Sequence, residues 1–240
     1  MRYLIVAATD FEVAPFLARY PFKPLTAIKQ NGCLYQYISF DQSLHIDVLI
    51  TGIGLVHTAF HTAWQLRGTP YDWAINLGIA GCFDSNIKLG SVVQIISEQT
   101  SDLGIETTQH TFEPISALPF FDADACPYEA GYLHNPHRFP FDYFLNLPQF
   151  RGSSCNTVTG SVATAQLRRR LFTADTESME GSAFFYACLQ GQTPFIQLRG
   201  LSNYVGKRDK DKWEINLAIQ QVNGALYRYF SNLYPHTSLH

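Results

Sequence analysis

Tyr3-Leu-Ile-Val-Ala-Ala8 is an unbroken apolar run, cut off by Asp10 and Glu12. A strand with one wet face alternates apolar and polar residues; an unbroken run marks a strand covered on both faces. The run is also too short, and its acidic stop too early, for a signal peptide. Outward from it, residues 46–50, 74–77, 92–96 and 195–198 read as further strands, and residues 35–40 alternate as a strand does. Between them, residues 55–66 carry Val56, Ala59, Phe60, Ala63 and Trp64 at helical spacing. Helices are also predicted near 163–171, over 181–190 and over 213–233. In the last, Ile215, Ile219, Val222, Leu226, Tyr229 and Leu233 form one stripe fit to pack on a sheet. The pattern predicts one α/β domain spanning residues 1–240, in three layers with helices on both faces of the sheet.

The composition limits the function. With 46% hydrophobic and 15% charged residues, the chain can bury a core and does not resemble a disordered segment. Net charge is −3, and the longest basic run, Arg168-Arg-Arg170, reads as a solvated helix end, so no nucleic-acid partner is expected. Five scattered cysteines without a Cys-x-x-Cys pair argue against a disulfide framework and point to a reducing, cytoplasmic setting. Nothing approaches the roughly 18 apolar residues of a membrane span. His57 and His61 lie four apart on a helical face, but His57-Thr-Ala-Phe-His61 lacks the glutamate of a metalloprotease helix. Neither they nor His134 and His137 are expected to hold a metal, and no cofactor is implied.

Residues 110–150 break the rhythm. Six prolines there oppose regular elements, while ten rings, Phe112 through Phe150, oppose disorder. This excursion is either a cover over the core or a subunit contact, or a lid over an aromatic part of a ligand.

The chemistry starts at Glu180, in Asp175-Thr-Glu-Ser-Met-Glu-Gly181, where a short strand turns into an apolar helix. A charge there either caps the helix dipole or grips a ligand. Glu12 is either a solvated first-turn residue or a base. Three glycine passages, Thr51-Gly-Ile-Gly54, Asn76-Leu-Gly-Ile-Ala-Gly81 and Arg199-Gly200, fall at predicted strand ends, where open α/β sheets bind ligands. Taken singly, each reads as a tight turn; none fits a dinucleotide or P-loop fingerprint.

Taken in order, these passages, with Leu89-Gly-Ser-Val-Val93, Ser178-Met-Glu-Gly181 and Leu198-Arg-Gly-Leu-Ser-Asn203, resemble the nucleoside phosphorylase and nucleosidase superfamily. Within it they resemble the methylthioadenosine/S-adenosylhomocysteine nucleosidases and the futalosine hydrolases. The resemblance covers nearly the whole chain and implies a central mixed, twisted sheet. It also implies that Met179 and Glu180 underlie a ribose, the carboxylate accepting both sugar hydroxyls, and that Glu12 activates water. Gly78 belongs to the binding passage, and Arg199 and Ser202 stand where an arginine and a serine support the base and the water. Phosphorylases of the superfamily hold phosphate with an arginine before the second glycine passage; Asn76-Leu77-Gly78 has none, which favours hydrolysis. Two positions depart from the adenosine-type pattern: Ile79 replaces a water-holding serine, and Ala163, beside Thr164, replaces a base-stacking phenylalanine.

Asn203 stands where adenine-specific members carry an aspartate. Its amide offers a donor for O6 of a 6-oxopurine and an acceptor for N7–H. With Ser202-Asn-Tyr-Val-Gly-Lys-Arg-Asp209, Trp213 and Asn156-Thr-Val-Thr-Gly160, this resembles the futalosine hydrolases most. The resemblance therefore implies cleavage of futalosine to hypoxanthine and dehypoxanthine futalosine, in menaquinone biosynthesis, by a homodimer or larger homo-oligomer. A methylthioadenosine/S-adenosylhomocysteine nucleosidase, a purine nucleoside phosphorylase and a non-catalytic nucleoside-binding protein remain alternatives.

Overall fold

The computed structural model describes residues 1–28, 32–108, 111–138, 144 and 146–234. The first strand, β1 (Arg2–Ala7), lies between β4 (His45–Ile50) and β5 (Trp73–Cys82), parallel to both. Its side chains alternate between two cores. Tyr3, Ile5 and Ala7 join one with Val13 and Phe16 of α1 (Asp10–Leu17) and Val222, Leu226 and Tyr229 of α5 (Ile215–Leu233). Leu4 and Val6 join the other, with Phe184, Phe185 and Cys188 of α4 (Gly181–Gln190). Both pleat faces are dry, and that is why the run is apolar throughout. Each such fully buried aliphatic side chain contributes about 1.5–3 kcal/mol relative to exposure.

Beyond β4 the sheet continues through β3 (Gly32–Ile38) to β2 (Lys23–Ile28), both antiparallel. On the other side, β5 pairs in parallel with β13 (Phe195–Tyr204), and β13 runs antiparallel to β6 (Val92–Thr100). From β6, the strands β11 (Gln149–Ser154) and β12 (Thr176–Ser178) lead back to β5. The mixed sheet thus closes partly on itself, and the ends of β5, β12 and β13 crowd around one point.

The strands exceed their sequence reading where it matters most. β5 runs on through Gly78 and Gly81, and β13 through Gly200 and Asn203. These glycines are strand residues and not tight turns; only Gly52 (φ +87°) and Gly54 (φ +98°) form a turn, ahead of α2 (Leu55–Gly68). The expected apolar stripe of α2 also faces outward: Val56, Phe60 and Trp64 are exposed, while Thr58, His61 and Thr62 pack inward. Arg168 on α3 (Val162–Phe172) is not at a solvated helix end. It is buried and pairs with Glu177 at 2.7 Å, although Arg169 and Arg170 are exposed.

The excursion is more regular than its prolines suggest. Strands β9 (Tyr128–Glu129) and β10 (Tyr132–His134) extend the sheet beyond β6, and β7 (Gly104–Glu106) pairs with β8 (Phe112–Pro114). Tyr128 packs on Phe121 and Tyr186, Phe112 on Phe172, and Phe144 on Tyr229. His110, Phe139, Pro140, Phe141 and Tyr143 lie outside the described residues.

Candidate active site

Thr9-Asp-Phe-Glu12 forms a capping box at the start of α1. Glu12 N donates to Thr9 Oγ1, and Glu12 Oε2 accepts from Thr9 N and Oγ1, both at 3.2 Å. The box turns the carboxylate back toward β5, where Oε1 accepts the Ile79 N–H at 3.3 Å. Gly78 makes that approach possible, since a Cβ there would lie 2.8 Å from Glu12 Oε1 and 3.4 Å from Arg199 Nη1. The first-turn and ligand-facing readings of Glu12 therefore coexist: one oxygen caps the helix, the other borders a cavity.

Glu180 stands at the N-cap of α4 but makes no side-chain cap. Its Oε1 instead accepts the Gly54 N–H at 3.0 Å, from the turn before α2. Burial pushes Glu180 above the ordinary carboxylate value, with the Glu12 charge adding to the rise and the Gly54 N–H and Arg199 opposing it. Burial likewise raises Glu12, against the pull of Arg199 and of the Ile79 and Thr9 donors. Both carboxyls keep an edge open to the same cavity.

A bulge in β13 shapes the other end. Leu201 pairs with Ala80 and Asn203 with Gly81, leaving Ser202 as the extra residue, a device that re-aims side chains. Ser202 Oγ donates to Asn203 Oδ1 at 2.8 Å, and Asn203 Nδ2 makes only a long contact, 3.4 Å, to the Tyr204 carbonyl. A Cβ on Gly81 would crowd Asn203 Nδ2 at 3.1 Å and Val205 at 2.7 Å.

The cavity, about 270 Å³, is lined by Glu12, Ile79, Met179, Glu180, Ser202 and Asn203 together with Phe11, Ile53, Val158, Trp213 and Ile215. Its size and mostly apolar wall suit one small organic ligand, and the polar groups Glu12, Glu180, Ser202 and Asn203 converge on it from three separate segments. Of the residues singled out from sequence, Gly78 and Arg199 stand behind Glu12. Arg199 is fully buried, donating to Asn76 Oδ1 and to the Leu198 carbonyl; burial lowers its pKa while Glu180, Glu98 and Glu12 hold it up. Ala163 and Thr164 lie on α3 and do not line the cavity. Val158 does, on a loop held by Arg168, which donates to the Thr157 carbonyl, Thr159 Oγ1 and Glu177.

Sequence reasoning missed Gly54 as a clamp partner, Val158, and the buried Glu98. Thr-x-x-Glu at 9–12 was a readable cap signal; Glu98, in the polar stretch Ser97-Glu-Gln-Thr100 that ends β6, carried none. Among the described residues no group of three or more His, Cys, Asp or Glu is placed to hold a metal ion. No helix of the described residues is long and apolar enough to cross a membrane.

Comparison with known proteins bears on this arrangement. The pattern of the phosphorylase superfamily matches residues 2–231. The chain is 30% identical over 237 residues to a futalosine hydrolase of Thermus thermophilus, covering 94% of each chain. It is also 30% identical over 238 residues to a 5′-methylthioadenosine/S-adenosylhomocysteine nucleosidase of Colwellia psychrerythraea, covering 94% of this chain and 93% of the relative. In structure it resembles the futalosine hydrolase of Helicobacter pylori with a TM-score of 0.78 at 15% identity, covering 97% of this chain and 98% of that one. The chain belongs to the phosphorylase superfamily and, within it, to the nucleosidases, enzymes that hydrolyse N-glycosidic bonds.

Proposed function

We propose that this nucleosidase is a futalosine hydrolase, releasing hypoxanthine and leaving dehypoxanthine futalosine for menaquinone biosynthesis. The reading rests on Asn203. Its carbonyl is engaged by Ser202 Oγ at 2.8 Å, which leaves the NH2 as the donor available to a ligand. That donor suits O6 of a 6-oxopurine. Facing the 6-amino group of adenine it would set donor against donor, and an unsatisfied buried polar group costs about 1–3 kcal/mol.

In this reading Glu180 accepts the ribose hydroxyls over Met179, and Glu12 takes a proton from the attacking water while its charge steadies the oxocarbenium-like transition state. Arg199 acts from behind Glu12. Phosphorolysis is disfavoured because no lysine, arginine or histidine is among the described residues that line the cavity. Asn203 is too weak an acid to protonate the leaving base itself, so that proton comes from water or another group. Cytoplasmic residence accords with five free cysteines.

A homodimer or larger homo-oligomer is part of the proposal. Val56, Phe60 and Trp64 stand 77%, 60% and 64% exposed on α2, with the Phe60 and Trp64 rings stacked at 6.1 Å. An exposed apolar stripe of this kind marks an interaction surface. Ile53 belongs both to this surface and to the cavity wall.

The deciding experiment incubates the purified protein with futalosine, aminofutalosine, methylthioadenosine and inosine, with and without phosphate, and follows the released base by chromatography. Phosphate-independent release of hypoxanthine from futalosine is expected. Preferential adenine release from methylthioadenosine would instead make it a relative in activity of the Colwellia nucleosidase.

A further inference from the structure

Glu98, on β6, takes no part in the mechanism above, yet its side chain is fully buried beside the site. It packs so tightly against Gly181, the residue after Glu180, that no Cβ fits there. Gln197 Nε2 donates to Glu98 Oε1 at 2.6 Å and Ser154 Oγ to Oε2 at 2.9 Å. Gln197 lies two residues before Arg199, so both project from the same face of β13. Three carboxyls, Glu12, Glu98 and Glu180, thus surround a single guanidinium. Among the described residues no carboxylate reaches Arg199 within ion-pair distance; the ion pairs lie elsewhere.

Three negative charges against one positive in a buried site are costly, and desolvation is relieved by protonating the member least able to hold its charge. The hydrogen-bond partners identify that member. Glu12 receives the N–H groups of Ile79 and Thr9 and the Thr9 hydroxyl, and Glu180 receives the Gly54 N–H. Both also face the open cavity. Glu98 has only a neutral amide and a hydroxyl, and no solvent. As an acid it would be fully satisfied. Ser154 Oγ already accepts the Ser182 N–H at 2.8 Å, and it can accept a Glu98 O–H while turning its own proton toward Ser178 Oγ at 3.4 Å.

We propose that Glu98 is a positioning residue held as the neutral acid at mildly acidic pH, which leaves the buried guanidinium of Arg199 to the two carboxylates that border the cavity. The charged groups facing it are Arg199 from β13 and Glu180 ahead of α4, and β11 presents the hydroxyl of Ser154. Burial pushes Glu98 up to about 7, with Gln197, Arg199 and Ser154 opposing the rise and Glu180 adding to it. The proposal rests on the nucleosidase reading of Glu12 and Glu180, but its first test needs no substrate.

Thermal unfolding of the wild type and Glu98→Gln is measured from pH 4.5 to 8.5. A proton bound more tightly in the folded than in the unfolded state stabilises at low pH, and that stability is lost as pH rises from the unfolded value through the folded one. The wild type should therefore lose stability between about pH 4.5 and 7 relative to Glu98→Gln, the Tm of the variant gaining about 5 °C on it. Cleavage of futalosine by Glu98→Gln at pH 6 should persist. A Tm difference that stays flat with pH, or loss of cleavage at pH 6 in a folded variant, overturns the proposal. Should Glu98→Gln fail to fold, infrared spectra of the wild type at pH 6 decide. A carboxylic C=O band that survives both Glu12→Gln and Glu180→Gln supports the assignment, and absence of such a band overturns it. If the wild type cleaves no futalosine, the substrate reading fails while the unfolding and infrared results still judge Glu98.

Discussion

Glu180 accepts the backbone N–H of Gly54 at 3.0 Å across 126 residues of sequence. That contact joins the N-terminus of α4 to the turn that starts α2, and it aims the carboxylate at the cavity instead of at its own helix. A backbone donor fixes the direction of one oxygen and leaves the other for a ligand.

Replacing Glu180 with Gln should therefore weaken ligand contact without unfolding the turn, because an amide oxygen can still accept from Gly54. Charge-assisted hydrogen bonds contribute about 1.5–3 kcal/mol, so kcat/KM should fall about tenfold to a hundredfold. A 2′-deoxy substrate, measured in parallel, should be cleaved poorly by the wild type and be less sensitive to the change. Equal sensitivity of both substrates would assign Glu180 a structural role.

Glu12→Gln keeps size and most hydrogen bonds but removes the base. Turnover should drop by about 10²–10⁴, the range for a positioned acid–base group, with substrate affinity largely kept. The pH profile adds a second reading. A base must be ionised, so kcat/KM falls as pH drops through its pKa, and burial raises Glu12 above its ordinary 4.5. The wild-type acid limb should lie above the usual glutamate range and vanish from the residual activity of Glu12→Gln.

Asn203→Asp replaces the donor amide with an acceptor at the base end of the cavity. The wild type should prefer futalosine over aminofutalosine by about tenfold to a hundredfold, and the variant should narrow or invert that ratio. Competition between equal amounts of the two, with hypoxanthine and adenine separated by chromatography, measures it. An unchanged ratio would remove Asn203 from base recognition.

Trp64→Glu, alone or with Phe60→Glu, places charge in the outward stripe of α2 while leaving Thr58, His61 and Thr62 packed inside. Light scattering after size exclusion should show the wild type as an oligomer and the variant as a monomer. A wild-type monomer would leave the stripe without this role.

Arg168→Ala strips the partner from buried Glu177 and frees the loop carrying Val158. Breaking a buried pair on one side costs about 3–5 kcal/mol, readable in a denaturant titration. A loss below about 1 kcal/mol, as for a surface pair, would mean that the pair is solvated in solution.

Much was legible in the chain because it follows from local periodicity. The apolar run at Tyr3 announced a strand buried on both faces, and the stripe from Ile219 to Tyr229 announced the face of α5 that enters the core. Glu12 and Glu180 stood out as charges at strand-to-helix junctions. By contrast, α2 has a helical apolar period whose direction periodicity cannot assign. Its small polar face, Thr58, His61 and Thr62, packs inward, and α2 lies against α4.

What the sequence determined by itself was the set of elements and the residue types able to do chemistry. Only the tertiary structure brought Glu12 beside Gly78 and Arg199, sent Glu180 to Gly54, bulged β13 at Ser202 so that Asn203 meets the cavity, and buried Glu98 behind them. It also kept Ala163 and Thr164 on α3, away from the cavity wall. The physical reason is range. Propensity and amphipathic period act within a few residues, whereas a carboxyl's environment is set by strands and turns that arrive from distant parts of the chain and by the water they exclude.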